Sequence, residues 1–269
     1  MIAKKFAASI LVAVAGLLPA ASLAVPFAYA IQESTQNLVT INLATGAIAV
    51  IGATGGDDID GLALDSSGVL YGSDNDTDSL VIINRNTGAI SSTIALSQGI
   101  SDSGLAFDSL DQLYLADDAN SELFTVDTSD GTMGLIGSNS GDISAIAFNL
   151  SDVLYGVDPV SDSLVTYNLG DGSITAVGAG LGVDIVDEQG LTFDLIGGLL
   201  YMIDEASESL YSIDPLTGLA SFIANLGGDY EALAFFEDRQ AAPEPGVLLL
   251  LGIGLLALTL VHRRRRNHW

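Results

Sequence analysis

The sequence predicts an all-β fold, a five-bladed β-propeller of four-stranded repeats of about 42 residues each. Three observations predict it. A short block recurs five times, a turn follows each copy at fixed register, and the two ends of the repeat region are out of phase by one strand. Self-similarity at this period marks stacked or radial repeats before any local structure is read.

The recurring block is an apolar-Tyr pair, a polar loop and a Leu-led strand. Its copies run from Ala28-Tyr29 to Leu38, Leu70-Tyr71 to Leu80, Leu113-Tyr114 to Leu123, Leu154-Tyr155 to Leu164, and Leu200-Tyr201 to Leu210. The leucines are spaced by 42, 43, 41 and 46 residues. After each comes an Asn/Asp-x-x-x-Gly turn: Asn42 to Gly46, Asn84 to Gly88, Asp127 to Gly131, Asn168 to Gly172 and Asp214 to Gly218. The Asn or Asp side chain caps the local backbone and the glycine supplies positive φ, so these are hairpin turns.

A third element alternates small and large residues with period two, the mark of a strand. Its copies are Gly61-Leu62-Ala63-Leu64, Gly104-Leu105-Ala106-Phe107, Ala145-Ile146-Ala147-Phe148, Gly190-Leu191-Thr192-Phe193 and Ala232-Leu233-Ala234-Phe235. Gly and Ala are expected to face a crowded axis, and Leu and Phe to fill the space between sheets. An outer apolar strand, such as Ala47–Ile51 or Ile174–Val177, completes each blade.

The ends distinguish a ring from a solenoid of the same period. The repeats begin with a Tyr strand and finish with an inner strand at 232–235. A solenoid needs capping repeats, and none is evident. A ring that builds one blade from residues near 27–52 and 230–236 uses every strand. The pattern is similar to NHL-like and related secreted bacterial propeller repeats.

Charge is distributed unevenly. The 269-residue chain has a formal charge of −26, yet residues 25–240 hold 33 acidic groups against Arg85 and Arg239. That stretch contains no Lys, His, Cys or Trp. Ser-His-Asp triads, Cys-His pairs, lysine Schiff bases, disulfides and imidazole-ligated zinc are therefore excluded from it. The acidity also argues against nucleic acid, whose phosphates need Lys and Arg.

Both flanks read as export signals. Lys4 and Lys5 precede an apolar run from Phe6 to Leu18, and Ser22-Leu23-Ala24 fits a signal-peptide cleavage site, giving residues 1–24 as leader. Ala28-Tyr29-Ala30 fits the same rule but would remove part of a repeat strand. The propeller domain is then 25–240. Residues 241–269 carry Pro243-Glu244-Pro245, an apolar run 246–261 expected to be a membrane-spanning helix, and Arg263, Arg264, Arg265 and Arg266. Sixteen apolar residues are slightly short for a span of about 20, which a thin bilayer accepts. The arginines place that end in the cytoplasm.

Pro-Glu-Pro, a Leu/Gly-rich run and an arginine cluster, in that order over about 242–266, resemble the PEP-CTERM sorting signal of Gram-negative bacteria. The resemblance implies recognition by exosortase, a membrane transpeptidase-like protease, and release or transfer to the cell surface. It further implies a setting of exopolysaccharide and biofilm. An ordinary single-span anchor is the alternative, and it differs in keeping the tail.

Candidate chemistry lies just before the inner strands, where the loops of a propeller converge. One position before each stand Asp60, Ser103, Ser144, Gln189 and Glu231. Three positions before stand Asp58, Ser101, Asp142, Asp187 and Asp229. Hard cations suit such carboxylates, so Asp58, Asp60, Asp142, Asp187, Asp229 and Glu231 form a candidate Ca²⁺ rim. A solvated acidic rim is the competing reading. The loop Asp74 to Asp78 imitates an EF-hand start, but Ser79 and Arg85 stand where glycine and glutamate belong. Asp65, Asp108 and Asp194, with Asn149, are expected to cap turns. The functional expectation is a non-catalytic binding or structural protein of the exopolysaccharide matrix. The alternative is a Ca²⁺-dependent lactonase- or glycosidase-like hydrolase.

Overall fold

The computed structural model describes residues 25–186 and 189–238. The expected leader 1–24, the segment 241–269 with its apolar run 246–261, and Asp187 lie outside the described residues. Among the described residues no helix is long and apolar enough to cross a membrane.

The described chain is five four-stranded antiparallel sheets. Blade 1 opens with β1 (Val25–Gln32), β2 (Asn37–Asn42) and β3 (Ile48–Ala53). Blade 2 holds β4 (Ile59–Leu64), β5 (Leu70–Asp74), β6 (Ser79–Ile83) and β7 (Ile90–Ala95). Blade 3 holds β8 (Ser103–Phe107), β9 (Leu113–Asp117), β10 (Glu122–Val126) and β11 (Met133–Ser138). Blade 4 holds β12 (Ala145–Phe148), β13 (Leu154–Asp158), β14 (Ser163–Tyr167) and β15 (Ile174–Ala176). Blade 5 holds β16 (Gln189–Phe193), β17 (Leu200–Asp204), β18 (Ser209–Ile213) and β19 (Ala220–Asn225). The last strand, β20 (Tyr230–Asp238), returns to blade 1 in the order β20-β1-β2-β3.

The ring closes as the phase of the repeats requires. Strand β1 pairs β20 antiparallel from Val25↔Asp238 to Gln32↔Tyr230, with a bulge between Tyr29 and Ile31. Tyr29 stacks on Phe236 across the seam, ring centroids 4.3 Å apart. Full closure leaves no end blade to shield, which removes the edge problem of an open array.

Cohesion comes from five apolar clusters, each lying between neighbouring blades. Leu80, Leu105, Leu113 and Phe124 join blades 2 and 3, for example, and Val157, Leu164, Leu191 and Met202 join blades 4 and 5. The Leu anchors 38, 80, 123, 164 and 210 are all fully buried. Fully burying such a side chain contributes about 1.5–3 kcal/mol, so the five-fold repetition of one leucine is itself a main source of stability.

The turn glycines have a second task beyond positive φ. Gly131, at φ +76°, lies against blade 2, where an added Cβ would overlap the Ala95 carbonyl oxygen. Gly88, at φ +82°, meets Gly52 of blade 1 in the same way. The turn of each such blade therefore packs backbone to backbone on the outer strand of the blade before it.

One expectation holds only in part. The large residues of the inner strands do belong to the clusters between blades, but they also reach the axis. Leu62, Leu105, Ile146, Leu191 and Leu233 border the cavities both above and below them, so they plug the channel. The small residues face the neighbouring inner strand: a Cβ on Gly104 would strike the Ser144 carbonyl, and one on Gly190 would crowd the Ala232 backbone. With only five blades the inner strands approach closely, and that contact tolerates no side chain.

Candidate functional site

Antiparallel strands send alternate connections to opposite faces of the ring. On one face lie the loops after the Tyr strands and the links that precede the inner strands. Their side chains make an acidic mouth of about 360 Å³, lined by Glu33, Asp102, Asp118, Asp142, Ser144 and Glu205 among others. Glu33, Asp118 and Glu205 occupy one repeat position, four residues after the conserved-register tyrosines 29, 114 and 201; Asn75 and Pro159 fill it in the other blades.

Crowded carboxylates raise one another's pKa by like-charge repulsion, and burial adds to it. Asp118 is pushed up to about 6, first by burial and then by Asp142, Asp102, Asp117 and Asp158. Asp58 is raised by burial and by Asp76, Asp102, Asp74 and Glu33. The mouth is therefore a region of concentrated negative potential at neutral pH.

Below the mouth the channel narrows to a throat of about 10 Å³, near the size of one water. Asp60, Ser144 and Gln189, from the set the sequence places just ahead of the small/large repeats, line it. Asp60, Ser103, Ser144, Gln189 and Glu231 are all buried. Asn75 Nδ2 donates to Asp60 Oδ2, and Ser103 Oγ donates to Asn75 Oδ1 at 2.9 Å. In the two blades that carry an acid at this position, the pairing of the inner strand with the Tyr strand is irregular. The β4–β5 register breaks between Ile59 and Gly61, and Ala232 beside Glu231 has φ +52°. Such bulges re-aim a side chain, here toward the axis.

The candidate Ca²⁺ rim is thus divided by depth. Asp142 lines the mouth, and Asp58 lies within the field of its carboxylates. Asp60 and Glu231 sit at throat level. Asp229 is taken up by blade 1, accepting bonds from Ser34 Oγ at 3.0 Å and Ser34 N at 3.2 Å. Among the described residues no group of three or more acidic side chains is close enough together to hold a metal ion. Glu33, Asp102, Asp118 and Glu205 line the mouth beside Asp142 and lie outside the six-residue candidate rim. Their shared position four residues after tyrosine was the available signal for three of them.

Four other aspartates of the Tyr-to-Leu loops are structural. Asp74 accepts from Thr77 N at 3.1 Å, and Asp158 from Val160 N at 3.1 Å and Ser161 Oγ at 2.6 Å. Asp78 and Asp162, both at positive φ, accept from Ile100 N at 2.9 Å and Ile185 N at 3.0 Å. These side chains compete for backbone donors as Asx turns do, which fixes the walls of the mouth.

The centre of the opposite face is apolar. Leu64, Phe107, Phe148 and Phe193 end four inner strands and, with Phe235 of β20, ring a shallow dish of about 110 Å³. The turn from Asn42 to Gly46 and its four copies lie on the same face and carry the exposed Asp127, Asp130 and Asp171. Beyond the dish lie the loops from inner to Tyr strand. Asp65, Asp108 and Asp194 cap these as expected: Val69 N donates to Asp65 at 2.7 Å, Gln112 N to Asp108 at 2.9 Å and Ile196 N to Asp194 at 2.8 Å.

Residues 241–266 match the PEP-CTERM protein-sorting motif. The chain is thus a β-propeller with that motif, which implies an exported protein processed at the membrane by exosortase. No curated protein matches the chain by sequence. Among solved structures it is similar to a protein of unknown function from Bacteroides caccae, at 16% identity over 79% of this chain and 99% of that one, with TM-score 0.54. It is also similar to virginiamycin B lyase from Staphylococcus aureus, at 14% identity over 80% and 68%, with TM-score 0.47. A third is a protein of unknown function from Bacteroides thetaiotaomicron, at 16% identity, TM-score 0.47, covering 69% of this chain and 55% of that one.

Proposed function

We propose that this exported propeller is a non-catalytic binding or structural component of a Gram-negative exopolysaccharide matrix, delivered to the surface by its C-terminal signal. The observation that carries the reading is the acidic mouth on a rigid closed ring, joined in one chain to a sorting motif. The acids of the mouth and throat attract hard cations without enclosing one. Calcium takes six to eight oxygen ligands. A Ca²⁺ ion held partly by the mouth completes its shell with carboxylates of an acidic polysaccharide, so metal and polymer bind together.

Calorimetry of the full chain in detergent tests this. Ca²⁺ with an acidic polysaccharide is expected to give more heat and a larger rise in melting temperature than either alone. Neither heat nor a shift with both present would refute the binding role. Deleting residues 243–269 and following localisation tests the sorting arm separately, since unchanged surface delivery would remove it.

One observation favours a second reading. Asp118, raised to about 6 inside a concave mouth, has the ionisation of a general acid or base. A hydrolase of lactones or glycosides would use it, and Asp118→Asn would abolish turnover. The binding reading is preferred because burial and the crowding of neighbouring carboxylates account for the shift without any catalytic role.

A further inference from the structure

We propose that the throat of the propeller binds a single alkali-metal cation, Na⁺ or K⁺, on the ring axis, held by Gln189, Asp60 and Ser144. The site lies below the acidic mouth and goes beyond the calcium reading above, on which it does not rest.

The amide of Gln189 is the observation that points to a ligand. Gln189 opens β16, whose pairing with β17 runs without a bulge from Gln189↔Asp204 to Phe193↔Leu200. Alternation along the strand puts it on the same face as Leu191, which reaches the axis. Its side chain is 2% exposed, and neither Oε1 nor Nε2 has a hydrogen-bond partner among the described residues. Buried amides are ordinarily satisfied, because the hydration they lose must be replaced. Blade 2 shows the contrast. There Asn75 bridges two residues at throat level, donating to Asp60 and accepting from Ser103. Gln189 takes no part in those bonds.

Charge and size name the ligand. Asp60, Ser144 and Gln189 supply one carboxylate, one hydroxyl and one amide to the throat, and the rest of its lining is Gly, Ala, Leu and Ile. Asp60 is buried, and a carboxylate taken out of water calls for a cation nearby. The fold brings no basic side chain of its own to this end of the ring. Among the described residues the only one is Arg85, whose guanidinium lies against Gly68 on the opposite face. A single lining carboxylate balances a single positive charge. A throat of about 10 Å³ admits one water-sized sphere, which a bare alkali cation matches. Calcium, with six to eight oxygen ligands, suits the wider mouth instead.

The ion takes Gln189 Oε1 as a ligand. Ser144 borders mouth and throat alike, so water standing in the mouth completes the ion's shell and accepts from Nε2. Leu62, Leu105, Ile146, Leu191 and Leu233 plug the channel beneath. The ion therefore enters and leaves through the mouth, where the acids concentrate cations.

The test uses the full chain in detergent, with a chelator to remove divalent ions and no polysaccharide. Thermal unfolding is followed at constant ionic strength while tetramethylammonium chloride, whose cation is too large for the throat, is replaced by NaCl or KCl. An ion that binds only the folded chain raises the melting temperature with its concentration. Such a rise is expected with Na⁺ or K⁺, and the more effective of the two identifies the ion. Gln189→Leu and Asp60→Asn are each expected to weaken the apparent affinity at least tenfold. Asp130→Asn, on an exposed turn of the opposite face, is expected to keep the full response. Equilibrium dialysis of the parent chain with radioactive sodium or rubidium needs no variant to fold, and is expected to find one ion per chain. Equal melting temperatures in all three salts, or dialysis that finds no bound ion, overturn the proposal and leave the throat with water alone. A rise that Gln189→Leu leaves unchanged is screening of the mouth, and overturns it too. Either failure leaves the calcium reading standing, since that is measured with Ca²⁺ and polysaccharide together.

Discussion

Asp118→Asn is expected to stabilise the propeller at pH 8 and to do nothing at pH 3.5. Asp118 titrates near 6 when folded, against 3.8 when exposed, because burial and Asp142, Asp102, Asp117 and Asp158 oppose its charge. The sign follows from linkage. A carboxyl with a raised folded pKa favours the folded state while it is protonated in both states, below 3.8. That advantage is lost as pH rises through about 6, above which the folded chain carries the full penalty. A shift of about two units corresponds to a ceiling near 3 kcal/mol at 1.36 kcal/mol per unit. The side chain is only half-buried, so solvent screening reduces this to roughly 1 kcal/mol. For a domain of this size that raises Tm by about 2–4 °C. The asparagine keeps the shape and removes the charge. Thermal unfolding of both chains from pH 8 to 3.5, in chelator, measures the difference. A variant no more stable at pH 8, or a gain that persists unchanged at pH 3.5, refutes the electrostatic account of the mouth.

Gly131→Ala is expected to destabilise by about 2–4 kcal/mol, from overpacking against the Ala95 carbonyl together with the φ of +76°; denaturant midpoints at constant slope report it. Phe236→Ala removes the ring stacked on Tyr29 at the closing seam. It is expected to cost about 2 kcal/mol, less than a fully buried phenylalanine, with the loss concentrated in amide exchange of β1 and β20. Ser66→Ala removes the hydroxyl donor to Asp111 and keeps the backbone one, so it weakens the contact by which Ser66 holds the Asp111 pKa below the ordinary carboxylate value. A depressed carboxyl stabilises above its unfolded pKa and ceases to as pH falls through its folded one. The variant is therefore less stable than the parent near neutrality, by about 0.5–1 kcal/mol, and equal to it in strong acid.

The features legible in the sequence were those set by local register. The Leu-to-Leu spacing, the turn at Asn42 to Gly46 and its four copies, and the phase difference between Ala28-Tyr29 and Ala232 to Phe235 together give the blades, the hairpins and the closure. The axial face was not legible. Alternation in Gly104-Leu105-Ala106-Phe107 shows that two faces differ in size but not which one meets the axis. That depends on how closely five inner strands approach, and Gly104 against Ser144 shows they approach to backbone contact. The mouth was half legible. Asp142 was found from its place before a strand, whereas Asp118 and Glu205 gain their meaning only when loops some 85 residues apart are brought to one rim. The bond from Ser34 to Asp229 spans 195 residues and has no local signal at all.

The two faces owe their opposite chemistry to the same alternation of connections. Long links and Tyr-to-Leu loops need side-chain oxygens to satisfy their irregular backbone, and acids collect there as caps before any ligand is considered. The short loops on the other face need only one cap each, supplied by Asp65, Asp108, Asn149 or Asp194. Their tips are latched between blades where Ser66 meets Asp111 and Ser109 meets Asp152. Blade 2 closes its turn with Ser67 where blade 3 has Leu110, and blade 3 has Ser109 where blade 4 has Leu150. The fold thus accounts for much of the acid on the mouth side, and the capped turns account in the same way for Asp127, Asp171 and Asp214 on the other.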